Sequence, residues 1–138
     1  MTIRTIPTIL VVEDDAESRT AMVKILSAAG YKTAECGNGQ EGLDRVIEGG
    51  IDIVVTDMRL PVMDGVELLK RAKAIDQEIE VIINTGFGTV EVAVEAIKDG
   101  AYDFITKPVK KAQLLRAVAE LGATCSTMRA ISRISPLA

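Results

Sequence analysis

The chain contains no histidine, and aromatic residues make up only 3% of its 138 residues. Without histidine there is no Ser-His or Cys-His nucleophile pair, and the common zinc ligand sets are gone as well. So few aromatics leave no platform on which bases could stack. The net charge of −4 supplies no basic face for a nucleic-acid backbone either. Direct nucleic-acid binding is therefore not expected. Two cysteines, Cys36 and Cys125, lack metal-ligand spacing and read as a small buried residue and a tail residue. No apolar run is long enough to span a membrane, and no charged-then-apolar leader pattern precedes Glu13 and Asp14, so a cytoplasmic location is expected. Any chemistry has to run on carboxylates, hydroxyls and lysine.

What is present is an ordinary globular composition, 48% hydrophobic and 26% charged, in a chain of one-domain size. The stretch Ile51–Val55 is interrupted only by Asp52 and reads as a strand buried on both faces of a parallel sheet. It ends on Asp57 and breaks at Pro61 and at Asp64-Gly65. Similar apolar runs mark strands at Thr8–Val12, at Val81–Ile83 and at Tyr102–Thr106, with a weaker edge strand at Tyr31–Cys36. Between them lie helical stripes. Met22, Ile25, Leu26 and Ala29 form the first; Leu43, Val46 and Ile47, capped by Asn38, the second; Leu68, Leu69, Ala72 and Ile75 the third. Val90, Ala93, Val94 and Ile97 form the fourth, and Leu114, Leu115, Val118 and Leu121, stopped by Gly122, the fifth. Such alternation predicts a doubly wound (βα)5 domain with a parallel sheet. The expected boundaries are a domain over residues 1–122 and a C-terminal tail or linker over 123–138.

Polar groups stand at the carboxyl ends of four strands: Glu13 and Asp14, then Asp57, Thr85 and Lys107. In the order 2-1-3-4-5 the first and third strands are neighbours and flank the switch point, where open α/β sheets bind ligands. Three carboxylates brought together need a compensating cation, and hard oxygen donors on a solvated rim suit Mg²⁺. A metal, a carboxylate nucleophile, a hydroxyl and a lysine together make a phosphoryl-transfer site.

These residues, together with Thr85-Gly86-Phe87-Gly88 and Ala93 through Phe104, make residues 7–121 resemble the receiver domain of bacterial two-component response regulators. The chain is most similar to receivers of transcriptional activators that carry an ATPase module. The resemblance implies the flavodoxin-like fold and makes Asp57 the phosphoacceptor, served by a phosphohistidine on a partner sensor histidine kinase. It implies Asp14 as a direct Mg²⁺ ligand, Glu13 as one acting through water, and the Arg59 backbone carbonyl as a third protein ligand. Thr85 and Lys107 would bind phosphoryl oxygens, and the Lys107–Pro108 peptide would be cis. Phe104 fills the place of an aromatic switch that turns as Thr85 moves, remodelling the face made by the fourth helix, fifth strand and fifth helix. Dimerisation through that face, or control of an output domain beyond the C-terminus, is the implied readout. The only catalysis implied is the domain's own phosphorylation and dephosphorylation. Arg59 and Phe87 occupy positions that modulate hydrolysis of the acyl phosphate in the family; both are bulky, which suggests a long-lived phosphoform.

Taken singly, each residue has a plainer role: Asp57 a loop anchor, Thr85 a turn residue, Lys107 solvated surface, Phe104 core, and Asp15 a helix-dipole partner. Their joint placement at successive strand ends favours the site. Gly37-Asn38-Gly39-Gln40-Glu41-Gly42 matches a dinucleotide fingerprint, but it follows an edge strand and reads better as a helix-capping turn. Two alternatives stand beside the receiver. One is a phosphorylation-independent module of the same fold. The other is an Asp-nucleophile phosphatase, which needs an acid two residues after the nucleophile, where Arg59 stands.

Overall fold

The computed structural model describes residues 6–86 and 90–121, Val90 by its backbone alone. The elements follow in the order β1 (Thr8–Val12), α1 (Ala16–Ala28), β2 (Lys32–Cys36), α2 (Gly39–Glu48), β3 (Ile53–Asp57), α3 (Gly65–Ile75), β4 (Glu80–Thr85), α4 (Val90–Lys98) and β5 (Asp103–Thr106). A fifth helix, α5, covers 111–121. Phe87, Gly122 and the expected tail at 123–138 lie outside the described residues.

The five strands form one parallel sheet in the order β2-β1-β3-β4-β5. Alternation along the central strands splits the core in two. Leu10, Val12, Val54, Val81 and Ile83 face the side of α2, α3 and α4. Ile9, Val11, Ile53, Val55 and Ile82 face α1 and α5, where Met22, Leu26, Leu114 and Val118 meet them. Both faces being covered is why these strands are unbroken apolar runs. Asp52, just before β3, accepts a hydrogen bond from the Thr8 N–H at 2.9 Å and so anchors the start of β1.

Helix starts follow their capping residues. Asp15, Asn38 and Asp64 each accept from a backbone N–H three residues on, at Ser18, Glu41 and Glu67. The glycines of the fingerprint-like turn are explained by packing. A Cβ on Gly39 would strike the Met63 carbonyl, and one on Gly42 would press on Val12 and Leu68 at 3.1 and 3.2 Å.

Several expected stripe residues face solvent: Ala29, Ile47, Ile75, Val94 and Ile97. The contact of α4 with the sheet is narrow and runs through Ala96, the helix's one fully buried residue among those whose side chains are described, so the bulkier Val94 and Ile97 turn outward. Ile47 and Ile75 sit in the last turns of α2 and α3, and Ala29 is the C-cap of α1.

The connection from β3 to α3 carries Val62 at φ 70°, closed by a Met63 N–H to Pro61 carbonyl bond of 2.8 Å. This is a three-residue turn of the rare positive-φ kind, strained for any side chain and most for a β-branched one. Val62 is 85% exposed, so little packing repays the strain. Val62→Gly should raise stability by about 1 kcal/mol, after the entropy glycine adds to the unfolded chain is subtracted. Urea titration checks this, and a lower midpoint in the variant would show the turn to be unstrained.

Candidate functional site

β1 brings Glu13 to the rim and fixes it from both sides. Its N–H donates to the Cys36 carbonyl at 3.1 Å, and its own carbonyl accepts from the Arg19 guanidinium at 2.8 Å. Arg19 is held in turn by Glu35 at 3.2 Å. The Glu13 side chain is fully buried. One carboxylate oxygen accepts from the Asp15 N–H at 3.2 Å, and the other from the Lys107 ammonium at 2.7 Å. Asp14 is exposed beside it. Asp15 points away as the cap of α1, and its bonds from the Ser18 hydroxyl and N–H hold its pKa below the ordinary aspartate value.

β3 delivers Asp57, which is 7% exposed. One oxygen accepts from Lys107 Nζ at 2.9 Å and the other from the Arg59 N–H at 3.3 Å. The Thr56 hydroxyl donates to the Asp57 carbonyl at 3.0 Å. Thr85, at the end of β4, is buried, and its carbonyl accepts from the Lys107 N–H at 2.8 Å. The Lys107–Pro108 peptide is cis. Lys107 therefore leaves β5 with its backbone tied to β4 and its side chain reaching β3 and β1.

Ligand oxygens of Glu13, Asp14 and Asp57 lie within 4.8 Å of one another. One ammonium against three carboxylates leaves this rim net negative, and oxygen donors of this kind fit a hard divalent cation. Burial pushes the Glu13 pKa up, more than its bond to Lys107 pulls it down. Burial pulls Lys107 down, but its bonds to Glu13 and Asp57 outweigh that and set its pKa above the ordinary lysine value. The lysine is thus charged throughout the neutral range.

A glutamate whose folded pKa is raised adds stability only below its unfolded value and loses it as pH rises through the folded one. Ionised Glu13 therefore costs the metal-free fold stability at neutral pH. Glu13→Gln should be more stable than the parent near pH 7, and the gain should shrink as pH falls toward about 4. Urea titrations across that interval test this; a gain that grows on acidification would contradict it.

The structure brings Glu13, Asp14, Asp57 and Lys107 together. Thr85 adjoins them through its backbone, and Arg59 through its N–H. Phe104 is half-buried and packs against the core on the α2–α4 side, across the sheet from Lys107's reach. Arg19, Thr56 and Asn84 also line or brace the site, and the sequence pattern gives none of them a part in it. Asn84 alone had a visible signal: a carboxamide inside an apolar strand. Beside Glu13 and Lys107 a cavity of about 490 Å³ opens between α1 and the β5–α5 connection, lined also by Met22, Ile25 and Val109.

The family model for the response regulator receiver domain matches residues 9–119. Sporulation initiation phosphotransferase F of Bacillus subtilis is 39% identical over 100 residues, covering 72% of this chain and 81% of that protein. Transcriptional regulatory protein ZraR of Klebsiella oxytoca is 42% identical over 101 residues, covering 73% of this chain and 23% of that protein. The crystal structure of NtrX from Brucella abortus in complex with ADP superposes with a TM-score of 0.84 at 32% identity, over 94% of this chain and 30% of that one. The chain thus spans about a quarter of the regulator ZraR and most of the phosphotransferase.

A parallel sheet in the order 2-1-3-4-5, with acids at the ends of β1 and β3 and a lysine after β5, defines a signalling domain rather than a typical enzyme. The chain belongs to the response regulator receiver family, and its kin include receivers of transcriptional regulators of the ZraR and DctD kind. Among the described residues no helix is long and apolar enough to cross a membrane.

Proposed function

We propose that Asp57 accepts a phosphoryl group from a phosphohistidine on a partner sensor kinase, and that the acyl phosphate switches the face made by α4, β5 and α5. The observation that carries this reading is the single ammonium of Lys107 bridging Asp57 and Glu13 at 2.9 and 2.7 Å. That arrangement holds one Asp57 oxygen by a cation and leaves its carboxylate at a rim where an incoming group can meet it.

In the transfer, an Asp57 oxygen forms a bond to phosphorus as the bond from phosphorus to the imidazole nitrogen breaks, and the donor histidine leaves with the electron pair. Lys107 takes up charge on a phosphoryl oxygen, an electrostatic contribution that is strongest where water is scarce. Thr85 supplies a hydroxyl to another phosphoryl oxygen. Glu13 and Asp14, with Asp57 and the Arg59 backbone carbonyl, would hold Mg²⁺, which when bound neutralises charge on the phosphoryl oxygens. Glu13 also keeps Lys107 in place before transfer.

As Thr85 moves toward the phosphoryl group, Phe104 turns into the space it leaves. The outward aliphatics Val94 and Ile97, with Tyr102, lie on the face this alters. The phosphorylated state is a pre-existing conformation whose population the new contacts raise. Residues 123–138 then serve as the linker through which a cytoplasmic output module, a transcriptional regulator, is controlled. The same face is offered for dimerisation.

Incubating the chain with a small phosphodonor and Mg²⁺ tests the reading. The parent should gain one phosphoryl mass, and Asp57→Asn should gain none while melting as a folded protein. A label of equal size on the asparagine variant would refute Asp57 as the acceptor.

A further inference from the structure

Asn84 is 1% exposed, and its carboxamide oxygen has no hydrogen-bond partner. Its nitrogen has only a weak acceptor, the Met22 sulfur at 3.6 Å. A leucine would suit this place better, since it faces the apolar core that Ile82, Ile105 and Met22 build under α1 and α5. Buried carboxamides with an unused oxygen are rare and carry a penalty, so each asks for a reason.

Register supplies one. Asn84 pairs with Asp57 across β3–β4 and with Ile105 across β4–β5. Residues in register share a face, so Asn84 stands beside Asp57 on the α1 and α5 side. It is the last residue of β4 on that face. To reach Asp57 and Glu13 from the end of β5, the Lys107 side chain must pass the end of β4. Its ammonium carries three N–H donors, of which Glu13 and Asp57 take two. Once Asp57 carries a phosphoryl group, Lys107 has to follow the new oxygens and loosen its hold on Glu13.

We infer that Asn84 is a positioning residue for Lys107, its carboxamide oxygen accepting the ammonium's third N–H in the phosphorylated state. This rests on the phosphoacceptor reading of Asp57. Before transfer the oxygen is held in reserve at a cost to the resting fold; after transfer that cost is repaid, which favours the active state. A leucine at this position would make the resting protein more stable and the phosphorylated one less so.

Beryllofluoride, a phosphoryl mimic, gives the test with the full chain in Mg²⁺. Asn84→Leu should bind it at least about tenfold more weakly than the parent, the lower end of the worth of a hydrogen bond to a charged group. The ¹⁵Nζ signal of Lys107 in the saturated variant should differ from that of the saturated parent. Within the parent itself, the Asn84 carboxamide carbon signal should move when the mimic binds, a readout that needs no variant to fold. Parental affinity in Asn84→Leu, or an Asn84 signal that does not move on binding, overturns the inference and leaves the phosphoacceptor intact. A parent that binds no beryllofluoride overturns both.

Discussion

Gly65→Ala should cost about 3 kcal/mol and lower the melting temperature by about 10 °C, taking the site down with it. Gly65 opens α3, and a Cβ there would strike the backbone carbonyl of Asp57. No rotamer can relieve a contact between a Cβ, which has no freedom to turn away, and the backbone carbonyl of a packed neighbour. Either α3 withdraws from the end of β3 or the Asp57 peptide turns, and both break the bond from the Gly65 N–H to the Met58 carbonyl, 2.9 Å long. Gly42→Ala offers the control. There the obstacles are side-chain methyls of Val12 and Leu68, which can give by a few tenths of an ångström, so its cost should be nearer 1 kcal/mol. Thermal melts of the two variants, with phosphodonor labelling of the folded fraction, read both effects. Equal losses in the two would contradict the assigned close approach.

Lys107→Ala should slow labelling of Asp57 at least about a hundredfold, as loss of one preorganised charge-stabilising donor does elsewhere. It should also destabilise the metal-free protein at neutral pH by about 2 kcal/mol, discounted from the cost of breaking a fully buried pair because the lysine is partly exposed. The reason is the geometry left behind: a fully buried Glu13 and a nearly buried Asp57, with no cation between them. Lowering the pH protonates Glu13, whose pKa burial already raises, and should restore part of the lost stability. Lys107→Arg should not recover the labelling rate, because a planar guanidinium cannot occupy the point between two carboxylates that an ammonium fills. A variant that labels within a few-fold of the parent would remove Lys107 from the chemistry.

What could be read from the sequence depended on how many constraints each residue faced. Ile9 to Val12, Ile53 to Val55 and Val81 to Ile83 are buried on both sheet faces, so only apolar residues fit and the strands announce themselves. Strand order then places Glu13, Asp57 and Lys107 on one rim, because carboxyl ends of parallel strands point the same way. Helix faces were less legible. Val94 and Ile97 satisfy a 3.6-residue stripe, yet the surface α4 offers the sheet is only as wide as Ala96, and periodicity cannot tell which of two apolar stripes turns inward. Backbone conformation was not legible at all at Val62, where a β-branched residue conceals a positive φ that a glycine would have advertised. Gly39 and Gly42 match the spacing of a phosphate-binding fingerprint, but the helix-capping turn favoured from sequence is what the structure shows, with both glycines also needed for close packing. Arg19 is not legible from sequence because the group it fixes at the site is the Glu13 backbone carbonyl, which no side-chain pattern reports.

The central claim is that one carboxylate, at position 57, becomes an acyl phosphate. Borohydride reduces an acyl phosphate of aspartate to homoserine, so treating the phosphodonor-incubated protein with borohydride and sequencing its peptides by mass spectrometry locates the group directly. Homoserine at residue 57 and at no other acid is the expected result. Homoserine at residue 14 instead, or at none of the acids after full incubation with donor and Mg²⁺, would contradict it.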